Sequence, residues 1–206
     1  ATTEIYTLSL RDALPISAIV LASGSPRRKQ LLEQIDLEFL VIPSQVHEDF
    51  DLDLSPEKFV EHYAKEKAKD IAKAHPDKWI IGADTIVVFN AEILGKPKDR
   101  EDSFRMLKML SGNTHQVFTG VSIQQSKMQV SDTFHEYTNV TFNTLDDKVI
   151  SYYIDTYKPF DKAGSYGIQD WFSVCVNHID GCFYNVMGFP LSMFYSRFSA
   201  LIKSNG

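Results

Sequence analysis

Ala18-Ile19-Val20-Leu21-Ala22-Ser23-Gly24-Ser25-Pro26-Arg27-Arg28-Lys29-Gln30-Leu31-Leu32-Glu33-Gln34-Ile35 is the stretch whose reading decides the fold. Its first five residues form an apolar run, the pattern of a buried strand. Lys29 to Ile35 read as a helix. Ser25 is a good N-cap and Pro26 suits the first helical turn. The chain therefore passes from strand end to helix start within a few residues. Free N–H groups at such a helix start attract anions. Arg27 and Arg28 add fixed charge and planar donors suited to phosphate or carboxylate. The corner reads as a phosphate-binding site.

Outward from this corner, strand and helix patterns alternate, which predicts an α/β fold. Phe39 to Ile42 read as a short strand, followed by a polar loop from Pro43 to Leu54. Ser55-Pro56-Glu57 opens a long helix reaching about Ala74. Lys78 to Phe89 is a strong strand, turning at Asn90-Ala91 into Glu92-Ile93-Leu94. Asp99 to Leu110 is an amphipathic helix with Phe104, Leu107 and Leu110 inward, ended by Ser111-Gly112. Gln116 to Gln124 and Val130 to Phe142 are β-rich, with Ser122 to Met128 as an exposed connection. A helix starts at Thr144-Leu145-Asp146-Asp147 and runs to about Thr156. Tyr157 to Gln169 form a loop rich in glycine and charge. Val174 to Ile179 and Phe183 to Met187 read as a final hairpin around Asp180-Gly181, and Pro190 to Ile202 as the closing helix. No repeat or low-complexity linker breaks the chain, so residues 18–206 read as one domain. Residues 1–17 fit poorly with the rest. They lack the layout of a secretory signal and read as a non-catalytic extension.

The 206 residues are 44% apolar and 23% charged, enough for one core. A net charge of −6 argues against non-specific nucleic-acid binding. It leaves room for an anionic small substrate, because steering depends on local charge. Cys175 and Cys182 have neither metal-type nor redox spacing; they read as packing residues in a reducing compartment. No apolar run approaches the roughly 20 residues that span a bilayer.

Two polar residues sit in apolar surroundings. Lys67 lies on the stripe formed by Phe59, Val60, Tyr63, Ala64, Ala68 and Ile71. Its stem could pack while its ammonium snorkels to water, or it could reach into an anionic cleft. Asp84 interrupts the apolar strand Trp79 to Phe89. Burying an unpaired carboxylate is costly, so it must be paired, metal-bound or facing a cleft; a bland role capping a helix or pairing with an arginine is equally open. Lys96 stands on the constrained loop Gly95-Lys96-Pro97, where a solvated lysine is the ordinary reading. Asp161-Lys162-Ala163-Gly164 shares that ambiguity, and its companions Tyr166, Gly167 and Gln169 make a tight loop that can bring backbone close to a ligand. His47, His62, His75, His115, His135 and His178 are scattered without zinc-ligand spacing and read as surface or ordinary hydrogen-bonding residues.

In order along the chain, Ser23-Gly24-Ser25-Pro26-Arg27-Arg28, Glu66-Lys67-Ala68, Gly82-Ala83-Asp84-Thr85, Gly95-Lys96-Pro97, Ser111-Gly112 with His115, and Asp161-Lys162-Ala163-Gly164 with Tyr166-Gly167-Ile168-Gln169 resemble the Maf family of nucleoside triphosphate pyrophosphatases. The resemblance covers Ile19 to the C-terminus. It implies a mixed twisted sheet flanked by helices, in two lobes around a central cleft, as in the inosine triphosphate pyrophosphatases. It implies hydrolysis between the α- and β-phosphates of a nucleotide, with a divalent cation, Mg2+ or Mn2+. By motif match, Asp84 would be the general base. Glu48, in the family's acidic loop, would hold metal or water with Asp84. Ser23, Arg28, Lys67, Lys96 and Lys162 would bind phosphates and stabilise developing charge, work suited to fixed cations. Arg27, Thr85 and Gln169 match the branch associated with dTTP and UTP; a sister branch acting on methylated guanine nucleotides typically carries tryptophan, glutamine and glutamate there. Asp170-Trp171 follows Gln169 where relatives often have glycines, which alters the pocket rim.

The resemblance thus implies a cytoplasmic, homodimeric dTTP/UTP pyrophosphatase, and the acidic charge and lack of a bilayer-length apolar run predict that it binds neither nucleic acid nor membrane. Two alternatives stand beside it: a purine house-cleaning enzyme acting on ITP or XTP, and a non-catalytic nucleotide-binding regulator of cell division.

Overall fold

The computed structural model describes residues 18–205. The expectation for residues 1–17 lies outside the described residues.

The elements run β1 (Ile19–Leu21), α1 (Pro26–Glu33), β2 (Leu40–Val41), α2 (Pro56–Ala72), β3 (Trp79–Phe89), β4 (Glu92–Leu94), α3 (Arg100–Leu110), β5 (Thr114–Gln125), β6 (Val130–Phe142), α4 (Asp147–Tyr157), β7 (Val176–Asp180), α5 (Phe183–Val186) and α6 (Leu191–Asn205). Local chemistry sets several boundaries. Ser25 and Ser55 cap α1 and α2 by accepting from the backbone N–H groups of Arg28 and Lys58, each with proline next in sequence. Asp99 and Asp146 do the same for α3 and α4.

The strands form one mixed sheet in the order β2-β1-β3-β5-β6-β7, with β4 beside β3. β1 is parallel to β2 and β3, whereas the β3–β5–β6–β7 ladder is antiparallel. One detail of β3 governs the site. Its whole length from Ile80 to Val88 pairs with β5 on one edge. Its other edge is shared: β1 covers Trp79 to Ile81, and β4 covers Val87 to Phe89. Between them, no strand among the described residues pairs with Gly82 to Ile86 on that edge. Asp84 is at the centre of this gap.

Because β3 is covered on both faces, it reads as a nearly continuous apolar run. Trp79, Ile81, Ala83 and Val87 join a large core with Leu31 and Leu32 of α1, Leu107 of α3, Ile150 of α4 and Phe194 of α6. The alternate residues face α2. There Ile80 packs with Val20, Ala68 and Ile71, while Ile86 and Val88 pack with Phe59, Val60 and Tyr63. The apolar seam of α2 is thus split into two clusters, with Lys67 and Asp84 between them.

The α/β class, the mixed sheet and its flanking helices are as expected. Some local readings are corrected. The second half of the predicted final hairpin is the short helix α5, and the first half starts at Val176. An apolar run this short carries no decisive period. Gly181, at φ +130°, turns the chain away from β7. The Asn185 side chain then donates to the Val117 carbonyl and the Thr138 hydroxyl, anchoring α5 against β5 and β6. β5 continues through Ser122 to Gln125, and Ser122 and Gln125 are buried, so the exposed turn is only the segment around Ser126–Gln129. On α3 the inward residues are Ser103, Met106, Leu107 and Leu110, with Phe104 only partly buried.

Candidate active site

The site begins at the gap in β3. Asp84 projects from it toward α2, and its side chain is 6% exposed. The Lys67 ammonium donates to Asp84 Oδ1 at 2.7 Å and to Glu48 Oε1 at 2.5 Å. Lys67 is therefore an internal cation that gathers two carboxylates. Asp84 Oδ2 is buried and has no protein partner among the described residues.

Two glycines allow this closeness. A Cβ at Gly82 would lie 2.2 Å from the Ala64 carbonyl oxygen, and one at Gly120 would lie 2.2 Å from the Val60 carbonyl oxygen. Gly120 is paired with Asp84 across the β3–β5 ladder. The backbone of α2 thus rests on two side-chain-free positions flanking Asp84.

Glu48 belongs to the loop between β2 and α2. The Tyr63 hydroxyl holds that loop by accepting from the Asp49 N–H at 2.6 Å and donating to the Asp49 carbonyl at 3.2 Å. Phe50 stacks on Phe59 at 5.3 Å and lies over Gly95. Burial alone would raise the Glu48 carboxyl, but the charge and hydrogen bond of Lys67 outweigh it and hold Glu48 below the ordinary range.

The strand-to-helix corner supplies the opposite wall. Arg28 is buried, donating to Gly188 O at 2.9 Å, Ser23 Oγ at 3.0 Å and Thr85 Oγ1 at 2.9 Å. Burial lowers it to about 10, so it is charged at neutral pH. Thr85 is bonded onward to Thr119. Arg27 reaches across to the loop after α4, donating to Asp161 Oδ2 at 2.7 Å. Lys162 donates to Asp161 Oδ1 at 2.7 Å. That loop is tied down at several points. Gly164 N–H donates to Gly95 O at 3.0 Å, linking it to the Lys96 turn. Tyr166 OH meets His115 Nε2 at 2.8 Å, and Gly167 N–H donates to Tyr153 OH at 3.0 Å. Burial drives His115 down to about 3.

These walls enclose a cleft of about 600 Å³, within the range of small-molecule sites. Five cationic side chains line it (Arg27, Arg28, Lys67, Lys96, Lys162) against three carboxylates, Glu48, Asp84 and Asp161. An acidic chain therefore presents a locally cationic pocket.

The family model for Maf-like proteins matches residues 18–201. This chain belongs to the Maf family. It is 45% identical to the dTTP/UTP pyrophosphatase of Acetivibrio thermocellus over 195 residues, 91% of this chain and 95% of that protein. Identity to the dTTP/UTP pyrophosphatase of Halalkalibacterium halodurans is 47% over 175 residues, 84% of this chain and 90% of that one. Among solved structures, the Ham1 protein of Staphylococcus aureus overlaps 60% of this chain and 71% of its own, at 22% identity and a TM-score of 0.41.

In this Maf chain all the site residues expected from sequence line the one cleft: Ser23, Arg27, Arg28, Glu48, Lys67, Asp84, Thr85, Lys96, Lys162 and Gln169. Lys67 reaches into the cleft rather than snorkelling, and the partner of Asp84 is a lysine rather than an arginine. Ser23 is occupied with Arg28, and Arg28 commits three of its five N–H donors to protein. Asp170 caps the turn that follows it and takes the Tyr153 hydrogen bond, so Asp170-Trp171 shapes the loop from beneath.

Sequence reasoning missed Tyr63, Tyr153, Gly120 and the Gly188 carbonyl. Tyr63 was legible only as a member of an apolar stripe, and a backbone carbonyl leaves no sequence signal. His115, read as an ordinary residue, is buried and braces Tyr166.

The donor set fits a divalent cation of the Mg2+ type. Such ions take one or two carboxylates and complete their shell with water and substrate phosphates. Glu48 and Asp84, side by side on the Lys67 ammonium, provide that pair. No group of three or more His, Cys, Asp or Glu side chains able to hold an ion occurs among the described residues, so substrate oxygens would be needed to complete the shell.

Proposed function

We propose that this chain hydrolyses dTTP and UTP between the α- and β-phosphates, releasing the monophosphate and pyrophosphate. The observation that carries this reading is the cleft in which Lys67 bridges Glu48 and Asp84 opposite Arg27, Lys96 and Lys162. Support also comes from relatives of 45–47% identity that are dTTP/UTP pyrophosphatases.

In this reading Lys67 fixes Asp84 Oδ1, leaving Oδ2 to accept the proton of the attacking water. Lys96 and Lys162 neutralise charge on the phosphate chain, while Arg28 and Ser23 shape its seat as one bonded unit. Positioning and fixed charge supply most of phosphoryl-transfer catalysis. A bound Mg2+ or Mn2+, held by Glu48 and Asp84, would neutralise phosphate charge and orient the chain. Arg27, Thr85 and Gln169 set base and sugar choice, with Thr85 acting through the guanidinium of Arg28. No described helix is long and apolar enough to cross a membrane. The two free cysteines are in keeping with a reducing, cytoplasmic setting. The assembly that accompanies this reading is a homodimer, checked by light scattering.

The test is pyrophosphate release from dTTP, UTP, ITP, XTP and methylated guanine nucleotides with Mg2+ or Mn2+. dTTP and UTP should be fastest, and EDTA should abolish turnover. Faster release from ITP or XTP selects the purine reading. Nucleotide binding without release selects the non-catalytic regulator.

A further inference from the structure

Asp161 is out of place in a cleft meant for anions. Its two carboxylate oxygens sit on two cationic side chains of the pocket, Oδ1 on Lys162 and Oδ2 on Arg27, each at 2.7 Å. Glu48 and Asp84 are gathered by Lys67 on the far wall. Asp161 differs from them in being 52% exposed. Arg27 and Lys162, by contrast, are largely covered, at 19% and 13%.

Each cation has a contact besides the Asp161 carboxylate. The Lys162 stem is packed where a Cβ at Gly167 would come within 2.9 Å of its Cε. Arg27 Nη2 also reaches the Asp161 backbone carbonyl at 3.4 Å, a contact that survives if the carboxylate swings away. The arrangement is therefore two largely covered cations bridged by one half-exposed anion at the mouth of the cleft.

We propose that the Asp161 carboxylate is an internal stand-in for a phosphate group, holding Arg27 and Lys162 in the free protein and giving way to the phosphate chain of the substrate. This rests on the reading of the cleft as a polyphosphate site. The stand-in raises the threshold for anion binding. A nucleotide polyphosphate, with several charges in a row, displaces it. Small anions and the released pyrophosphate compete poorly with it, so Asp161 speeds product departure.

Asp161→Asn separates this role from a scaffold role. The test is calorimetric titration of the full chain with inorganic pyrophosphate. If Asp161 competes, the variant binds pyrophosphate about three- to tenfold more tightly, the size expected from removing two partly exposed ion pairs. If Asp161 instead positions the cations, the variant binds equally or more weakly, which overturns the proposal. A general charge effect is excluded by repeating the comparison in Arg27→Gln. The gain from Asp161→Asn must shrink there, because half of the freed donors are gone; an undiminished gain overturns the proposal. Failure of both the unaltered protein and Asp161→Asn to bind pyrophosphate refutes the proposal together with the polyphosphate reading. Absence of turnover with pyrophosphate binding intact refutes only the hydrolytic assignment.

Discussion

Replacing Lys67 with methionine keeps the unbranched stem, one atom shorter, and removes its charge. Two carboxylates then lose their shared cation. Glu48 is 29% exposed and can regain water, whereas Asp84, at 6%, cannot do so without opening the contact between α2 and β3. Removing one partner of a buried ion pair costs about 3–5 kcal/mol. The partial exposure of Glu48 places Lys67→Met near the lower end, at about 3 kcal/mol. For a chain of this size each kcal/mol lowers Tm by about 2–4 °C, so the expected drop is about 6–12 °C. Differential scanning calorimetry at neutral pH measures it. The companion is Lys67→Met with Asp84→Asn, which removes the stranded charge and should recover more than half of the loss. Turnover should be lost in both variants. A single variant that melts within about 2 °C of the unaltered protein would refute the claim that Lys67 stabilises buried Asp84. So would a double variant no more stable than the single.

Further predictions concern the same site. Asp84→Asn removes the proton acceptor but leaves the cationic wall intact, so turnover should fall by about 100-fold or more with nucleotide affinity largely kept; equal losses in both would assign Asp84 a structural role. Gly82→Ala puts a methyl group against the Ala64 carbonyl and must displace α2. It should lower stability by about 1–3 kcal/mol in urea melts, and turnover should fall by more than the melting loss explains, because Lys67 moves with the helix. His115 gives a pH signature. It is neutral in the folded protein down to about pH 3, while in the unfolded chain it gains a proton below about 6.5. The unfolded state therefore binds the extra proton as pH falls from 6.5, and its contribution to stability declines by up to about 1.4 kcal/mol per pH unit. Urea melts at pH 7, 6 and 5 should show a shallower slope for His115→Gln than for the unaltered chain; parallel slopes would refute the assignment.

The chemistry of the site was visible in the sequence wherever a residue type violated its surroundings. Asp84 in an apolar strand and Lys67 on an apolar helix stripe stood out as candidates, because burial of either charge alone is costly, but a snorkelling lysine and a capping or arginine-paired carboxylate fitted the sequence as well. The serine-proline-arginine corner announced an anion site through capping chemistry that is local to a few residues. The second half of the closing hairpin was misread because four or five apolar residues have no period of their own.

What the sequence by itself determined is the alternation of strands and helices, the capped starts of α1 and α2, and the identity of the charged groups. These follow from short-range periodicity and backbone hydrogen bonding, which neighbouring residues settle among themselves. Only the tertiary structure decided which charges meet. The lateral gap in β3 arises because β1 and β4 cover different parts of one edge. Gly82 and Gly120 set the approach of α2, and Arg27 and Asp161 meet across 134 positions of sequence. Such pairings depend on how distant elements pack, and no local pattern of residues encodes the distance between them.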